Sequence, residues 1–225
     1  MTGYSDLAPA CSGGPAAAQP PAATGYAMLL PAGWRRIPVL HGTRPAITAI
    51  VDEVFSRLPP ARSQAGRSEL ERYLAQMARQ AREQAVVDLY LPAGQVHGVS
   101  VPASIAVSRG TLRGGVIGWD ETLAQLAAGP HDARPVSIDG AAGVRLERSA
   151  GPAPAFRVAC GSLVVTYMFP VPGVPGDWLI VAFSVLDADG TAGRFARLLA
   201  EVFDAIMTTF RWARSGQARQ IDVLG

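Results

Sequence analysis

The stretch from Leu163 to Trp212 constrains the fold more than any other part of the chain. Leu163, Val165, Tyr167 and Phe169 alternate with Val164, Thr166 and Met168, the period of a strand with one buried face. Pro170 to Gly176 then turns the chain. Trp178 to Val185 is apolar at every position but Ser184, as a central strand covered on both faces requires. Asp187 to Thr191 leads into a helix whose Phe195, Leu198, Leu199, Val202, Phe203, Ile206 and Phe210 form one wide stripe, with Trp212 expected to end it.

The remainder of the chain supplies more strands and helices around that block. Residues 1–25 are dominated by Ala, Pro, Gly, Ser and Thr, too little apolar surface to offset the entropy of ordering, which predicts a disordered tail. One domain is expected over residues 26–213, followed by a polar tail at 214–225. Ala27 to Leu30 reads as a short strand, Pro31-Ala32-Gly33 as a turn, and Trp34 to Val39 as a second strand. Ile47, Ile50, Val51, Val54, Phe55 and Leu58 recur at three-and-four spacing after Thr43, the expected N-cap, up to Pro59-Pro60. A second helix is expected from Ser68, where Ser-Glu-Leu-Glu has the capping-box pattern, with Leu70, Tyr73, Leu74, Met77 and Ala81 on its apolar side. Val86 to Leu91 and Val99 to Ser108 follow as strands. A short helix is expected from Asp120 to Ala128. Val136 to Ile138 is too short to assign, and Gly143 to Glu147 and Phe156 to Ala159 bracket a Pro/Gly loop at 150–154.

Composition removes several functions. All 20 basic residues are Arg, and the chain of 225 residues has neither Lys nor Asn, as a very GC-rich genome would produce. No lysine is available as a Schiff-base nucleophile or phosphate-loop ligand. A net charge of +2 exerts little pull on a polyanion, and Arg62, Arg67, Arg72, Arg79 and Arg82 are interleaved with Glu69, Glu71 and Glu83 as on a solvated helix face, so no nucleic-acid partner is expected. Cys11 and Cys160 are read as a free tail thiol and a buried small hydrophobe. No run reaches the roughly 18 apolar residues of a membrane span, and residues 1–25 lack a signal peptide's basic start and apolar stretch. The Leu7-Ala-Pro-Ala-Cys11 resemblance to a lipidation site fails for the same reason. A cytoplasmic protein without direct membrane insertion is expected.

Motifs for catalysis, metal or cofactor binding do not assemble. His41, His97 and His131 are isolated beside Gly or Pro rather than at ligand spacing. Asp187-Ala-Asp189-Gly190 begins like a calcium loop but has Leu198 where the twelfth-position Glu belongs. Arg113-Gly114-Gly115-Val-Ile-Gly118 lacks dinucleotide spacing, and Cys160-Gly161-Ser162 lacks the glycines of a nucleophile elbow. No catalytic, cofactor or metal residue is therefore assigned. A partner surface is expected instead around the loops 92–98 and 109–118, with Arg109, Arg113, Trp119 and Trp178 as candidate contacts.

Two segments carry a family resemblance. Leu29 to Val39 (LLPAGWRRIPV) resembles the opening hairpin of PsbP-like domains, with its Pro-x-Gly-Trp turn. VVTYMFPVPG, DWLIVAFSV and LLAEVFDAIMTTFRW resemble the end of the same domain in actinobacterial members. Together they cover about 60 residues. The resemblance implies an α+β fold, a single antiparallel sheet of about six or seven strands with helices on both faces. The family includes extrinsic photosystem subunits, a binder of a nuclear transport GTPase, bacterial lipoproteins and chaperones of secreted toxins, united by binding other proteins. It shares no site motif, so no functional residue carries over. Three functions stay open: a non-catalytic protein-binding accessory domain, such as a chaperone or adaptor; a small-molecule binder or enzyme with a pocket between sheet and helices; and a structural part of a larger assembly.

Overall fold

Strand β10 (Asp177–Asp187) lies fourth in a seven-stranded sheet, the central place its apolar sequence predicts. The computed structural model describes residues 22–56, 63–96, 99–111, 132–151, 161–187 and 193–214. The other elements are β1 (Ala23–Ala27), β2 (Trp34–Pro38), α1 (Thr43–Ser56), α2 (Ser63–Glu83), β3 (Val86–Pro92), β4 (Gln95–Val96), β5 (Val99–Ser100), β6 (Ala103–Thr111), β7 (Asp132–Ile138), β8 (Ala141–Ala150), β9 (Gly161–Pro170), α3 (Arg194–Thr208) and β11 (Arg211–Arg214). The large sheet has the order β2-β3-β6-β10-β9-β8-β7, and every neighbouring pair is antiparallel. The fold is α+β.

Alternation sends each strand's residues to two different layers. Leu163, Val165, Tyr167 and Phe169 of β9 join Leu179, Val181, Phe183 and Val185 of β10 beneath α3, whose Ala196, Ala200, Phe203, Ile206 and Met207 are buried. On the opposite face, Ile37 of β2 and Val86 and Leu89 of β3 pack under Ile47, Ile50 and Val51 of α1 and Leu74 and Ala78 of α2. Helices thus cover both faces, but α1 and α2 sit over the β2–β3 edge while α3 sits over the centre.

Several local expectations change. The Leu29–Val39 segment is not a hairpin: β1 pairs with β11 in a separate two-stranded ribbon, and β2 pairs with β3. The turn between them is real, with Trp34 N–H donating to Pro31 O and Gly33 at φ +87°. β1 starts at Ala23, three residues before Tyr26. α3 stops at Thr208, because Thr208 and Thr209 turn their hydroxyls back to Ala205 O and Ile206 O and the chain then extends. Trp212 lies opposite Tyr26 in the ribbon rather than at a helix end. Thr43 does not cap α1; its hydroxyl donates to Pro38 O and Val39 O. α2 begins at Ser63, so Ser68 is interior to the helix and no capping box forms there. Val136 to Ile138 belongs to β7, joined to β8 by Asp139 and Gly140, both at positive φ, the requirement of a two-residue hairpin turn. The expected helix 120–128, the strand 156–159 and both tails beyond Ala22 and Arg214 fall outside the described residues.

Gly143 holds β8 close to β9. A Cβ there would lie 2.8 Å from Met168 O and 3.0 Å from Phe169 Cβ, and the first of these is backbone that cannot step aside. Gly143→Ala is expected to destabilise the protein by about 1–3 kcal/mol, read as a lower urea midpoint in equilibrium unfolding. An unchanged midpoint would mean that the β8–β9 spacing is slack.

Candidate binding surfaces

Of the four partner residues expected from sequence, the structure describes Arg109 and Trp178, which face opposite sides of the sheet. Arg109, near the end of β6, pairs with Asp177 across the strand boundary, Nε to Oδ2 at 2.9 Å, and Thr111 donates to the same carboxylate. Trp178 lies opposite Gly110 and is buried, 9% exposed, so it presents no open aromatic face. Register puts Arg109 opposite Leu179, on the α3 side of the sheet, whereas Trp178 points to the other side. Arg113 and Trp119 lie outside the described residues, as do Cys11, Cys160, His97 and His131. Within the loop 92–98, Gln95-Val96 pairs with Val99-Ser100 as a minimal hairpin.

Two buried polar networks sit at the rims of the α3-side core. In the first, Arg36 grips Asp88 with two bonds, Nε–Oδ1 at 2.7 Å and Nη2–Oδ2 at 3.0 Å. The Tyr26 hydroxyl donates to Asp88 Oδ2 at 2.6 Å, and Tyr90 lies 3.0 Å from Tyr26 oxygen, positioned to donate to it. These bonds fasten β1 of the ribbon to β2 and β3 of the sheet. In the second, Arg145 of β8 donates to Asp204 of α3 at 2.9 Å and to Glu147 at 2.8 Å, and Tyr167 donates to the same Asp204 oxygen at 2.8 Å. Asp88 is 3% exposed and already accepts three bonds, so it is a lock and not a base facing a substrate. Removing Arg36 would strand the buried Asp88 carboxylate, and breaking a buried pair in this way typically costs about 3–5 kcal/mol.

Among the described residues, no three His, Cys, Asp or Glu side chains gather where they could hold a metal ion. No helix of the described residues is long and apolar enough to cross a membrane.

Two exposed features remain, and sequence reasoning singled out neither. One is a groove of about 370 Å³ between the first turn of α1 and the C-terminal half of α2. Val39, Ile47, Ala75 and Ala78 line its floor, and Arg44, Arg79, Arg82 and Glu71 stand around it. It exists because α2 carries alanines at 75 and 78, where longer side chains would close the gap to α1. The spacing of Glu71, Ala75, Ala78, Arg79 and Arg82 on one helix face was the available signal. The other is the outer side of α3. Its wide stripe is only half used: Phe195, Leu198 and Val202 are 47%, 54% and 41% exposed.

Burial of the first network sets a pH limit. Desolvation first, then the neighbouring Tyr90 and Asp88, push the Tyr26 phenol far above its usual range, and desolvation pushes Tyr90 up to about 12. An unfolded phenol ionises near pH 10, so above that pH the unfolded chain releases protons that the folded chain retains. The stabilisation is complete below about pH 10 and is lost as pH rises from there towards 12. Urea unfolding is expected to show stability falling over that window, with a shallower fall in Tyr90→Phe; identical slopes would show that Tyr90 is not protected. Compared with known proteins, the chain matches no protein-family model and no curated protein.

Proposed function

We propose that this chain is a PsbP-like domain that works in the cytoplasm as a non-catalytic protein-binding module, an adaptor or chaperone for a secreted or membrane-associated partner. One observation carries the reading: the stripe Phe195, Leu198 and Val202 along α3. These positions are three and four residues apart, so their side chains stand in a row on the helix surface. The helix already buries a full face in the core through Phe203, Ile206 and Met207. A second, adjacent apolar row contributes nothing to that core, and contiguous exposed apolar surface of this kind marks a place that another protein covers. The partner that fits is an apolar helix face laid along α3, read through anchors at the same spacing. The seven-stranded antiparallel sheet with helices on both faces is the architecture that the resemblance implies.

The test is co-purification from a GC-rich actinobacterial host with the wild-type chain and with a Phe195→Glu/Leu198→Glu double variant. Both residues are about half exposed, so the variant is expected to melt within a few degrees of wild type, surface changes usually costing no more than about 0.5 kcal/mol each. One stoichiometric partner is expected with wild type and is expected to be lost with the variant. Recovery of the same partner by both proteins would move the interface off α3, and recovery by neither would remove the protein-binding reading.

A further inference from the structure

Of the fifteen arginines in the described residues, about half hold a carboxylate. Arg35, Arg36, Arg67, Arg109, Arg134 and Arg145 each hold a carboxylate. Arg44, Arg79 and Arg82 hold none among the described residues, yet all three border the same groove. Three like charges around one concavity repel one another, and the single carboxylate of Glu71 leaves an excess of two positive charges there. Beneath them the floor is apolar: Ile47 is buried, and Ala75 and Ala78 leave space that no side chain of the protein fills.

We propose that this groove is a binding site for a small amphiphilic organic anion, with its carboxylate or phosphate held by Arg44, Arg79 and Arg82 and its apolar body laid on Ile47, Ala75 and Ala78. The size fits: about 370 Å³ falls within the ~300–1,000 Å³ of small-molecule sites. The charge pattern selects an anion, because guanidinium groups have no acceptor and match planar carboxylate or phosphate oxygens in pairs. The space beside Ala75 and Ala78 separates an amphiphile from a bare ion, since an apolar body fills it and gains contacts there that inorganic phosphate does not. A long polyanion is disfavoured, because a chain of net charge +2 exerts little long-range pull on one. The site lies on the face of the sheet opposite α3, so it is independent of the protein-binding reading.

Calorimetric titration with decanoate, inorganic phosphate and decyltrimethylammonium tests the proposal on the full chain. Decanoate, kept below its micelle concentration, is expected to bind saturably at one site, phosphate at least about tenfold more weakly, and the cation not at all. Arg79→Gln/Arg82→Gln removes two exposed guanidiniums and is expected to weaken decanoate by about tenfold or more, the scale of one charge-assisted hydrogen bond. Ala75→Leu keeps every charge but fills the groove, and is expected to abolish decanoate binding with the melting temperature held or raised. Absence of saturable decanoate binding, equal binding of the cation or of phosphate, or wild-type affinity in both variants would each overturn it. Should Ala75→Leu fail to fold, the arginine pair, which is solvent-exposed, still decides the matter.

Discussion

Phe203 holds the two halves of the α3-side core together. It is fully buried, stacked on Phe183 of β10 at 4.9 Å and edge-on to Tyr167 of β9 at 5.6 Å. One turn beyond the helix, Phe210 repeats the arrangement, contacting Phe169 at 5.1 Å, Trp212 at 5.2 Å and Tyr26 of the ribbon at 5.6 Å. The helix, the sheet centre and the β1–β11 ribbon therefore share one hydrophobic core. Truncating a buried phenylalanine typically costs about 3–5 kcal/mol, a large part of the roughly 5–15 kcal/mol that holds a domain folded. Packing at Phe203 fixes where α3 lies, and the position of α3 fixes what its outer row can reach.

Around that apolar centre, polar locks define the edges. Asp88 with Arg36, Tyr26 and Tyr90 closes the β2–β3 side, and Asp204 with Arg145, Tyr167 and Glu147 closes the β8 side. Each lock joins elements that the main-chain ladder does not: ribbon to sheet in the first case, helix to sheet in the second. Hydrogen bonds net little each, but breaking a buried network exposes the full desolvation cost of the group left behind. The locks thus specify the docking of the ribbon and α3 more than they add to stability.

Much of this order was legible in the chain. The alternation in β9 and the unbroken apolar run in β10 gave their places directly, because those periods follow from backbone geometry. The start of α1 and the end of its apolar spacing were close for the same reason. What misled was local chemistry overridden by tertiary contacts. Ser68 has a capping pattern, yet α2 begins five residues earlier at Ser63. Phe210 and Trp212 continue a helical stripe, yet Phe210 serves the core from just past the helix end and Trp212 from the strand β11, opposite Tyr26. The Asp139-Gly140 turn was the overlooked signal for β7, whose Asp132, Arg134 and Pro135 are exposed and carry no apolar period. The surfaces were hidden for a deeper reason. Periodicity reports which residues can be buried, whereas Phe195, Leu198 and Val202 are apolar residues that remain uncovered, and the groove is defined by the smallness of Ala75 and Ala78.

The exclusive use of arginine ties these surfaces to one kind of electrostatics. A lysine at a groove edge loses charge readily when desolvated, whereas a guanidinium stays protonated across the pH range in which the protein is folded. Arginine also brings planar, paired donors, which reward an oxygen acid and discriminate against a spherical ion. The two exposed faces then divide the possible ligands by physics alone. The outer row of α3 is an apolar stripe that suits another helix, while the α1–α2 groove carries charge over a small apolar floor and suits a compact anion. Because they lie on opposite sides of the seven-stranded sheet, neither surface stands in the way of the other.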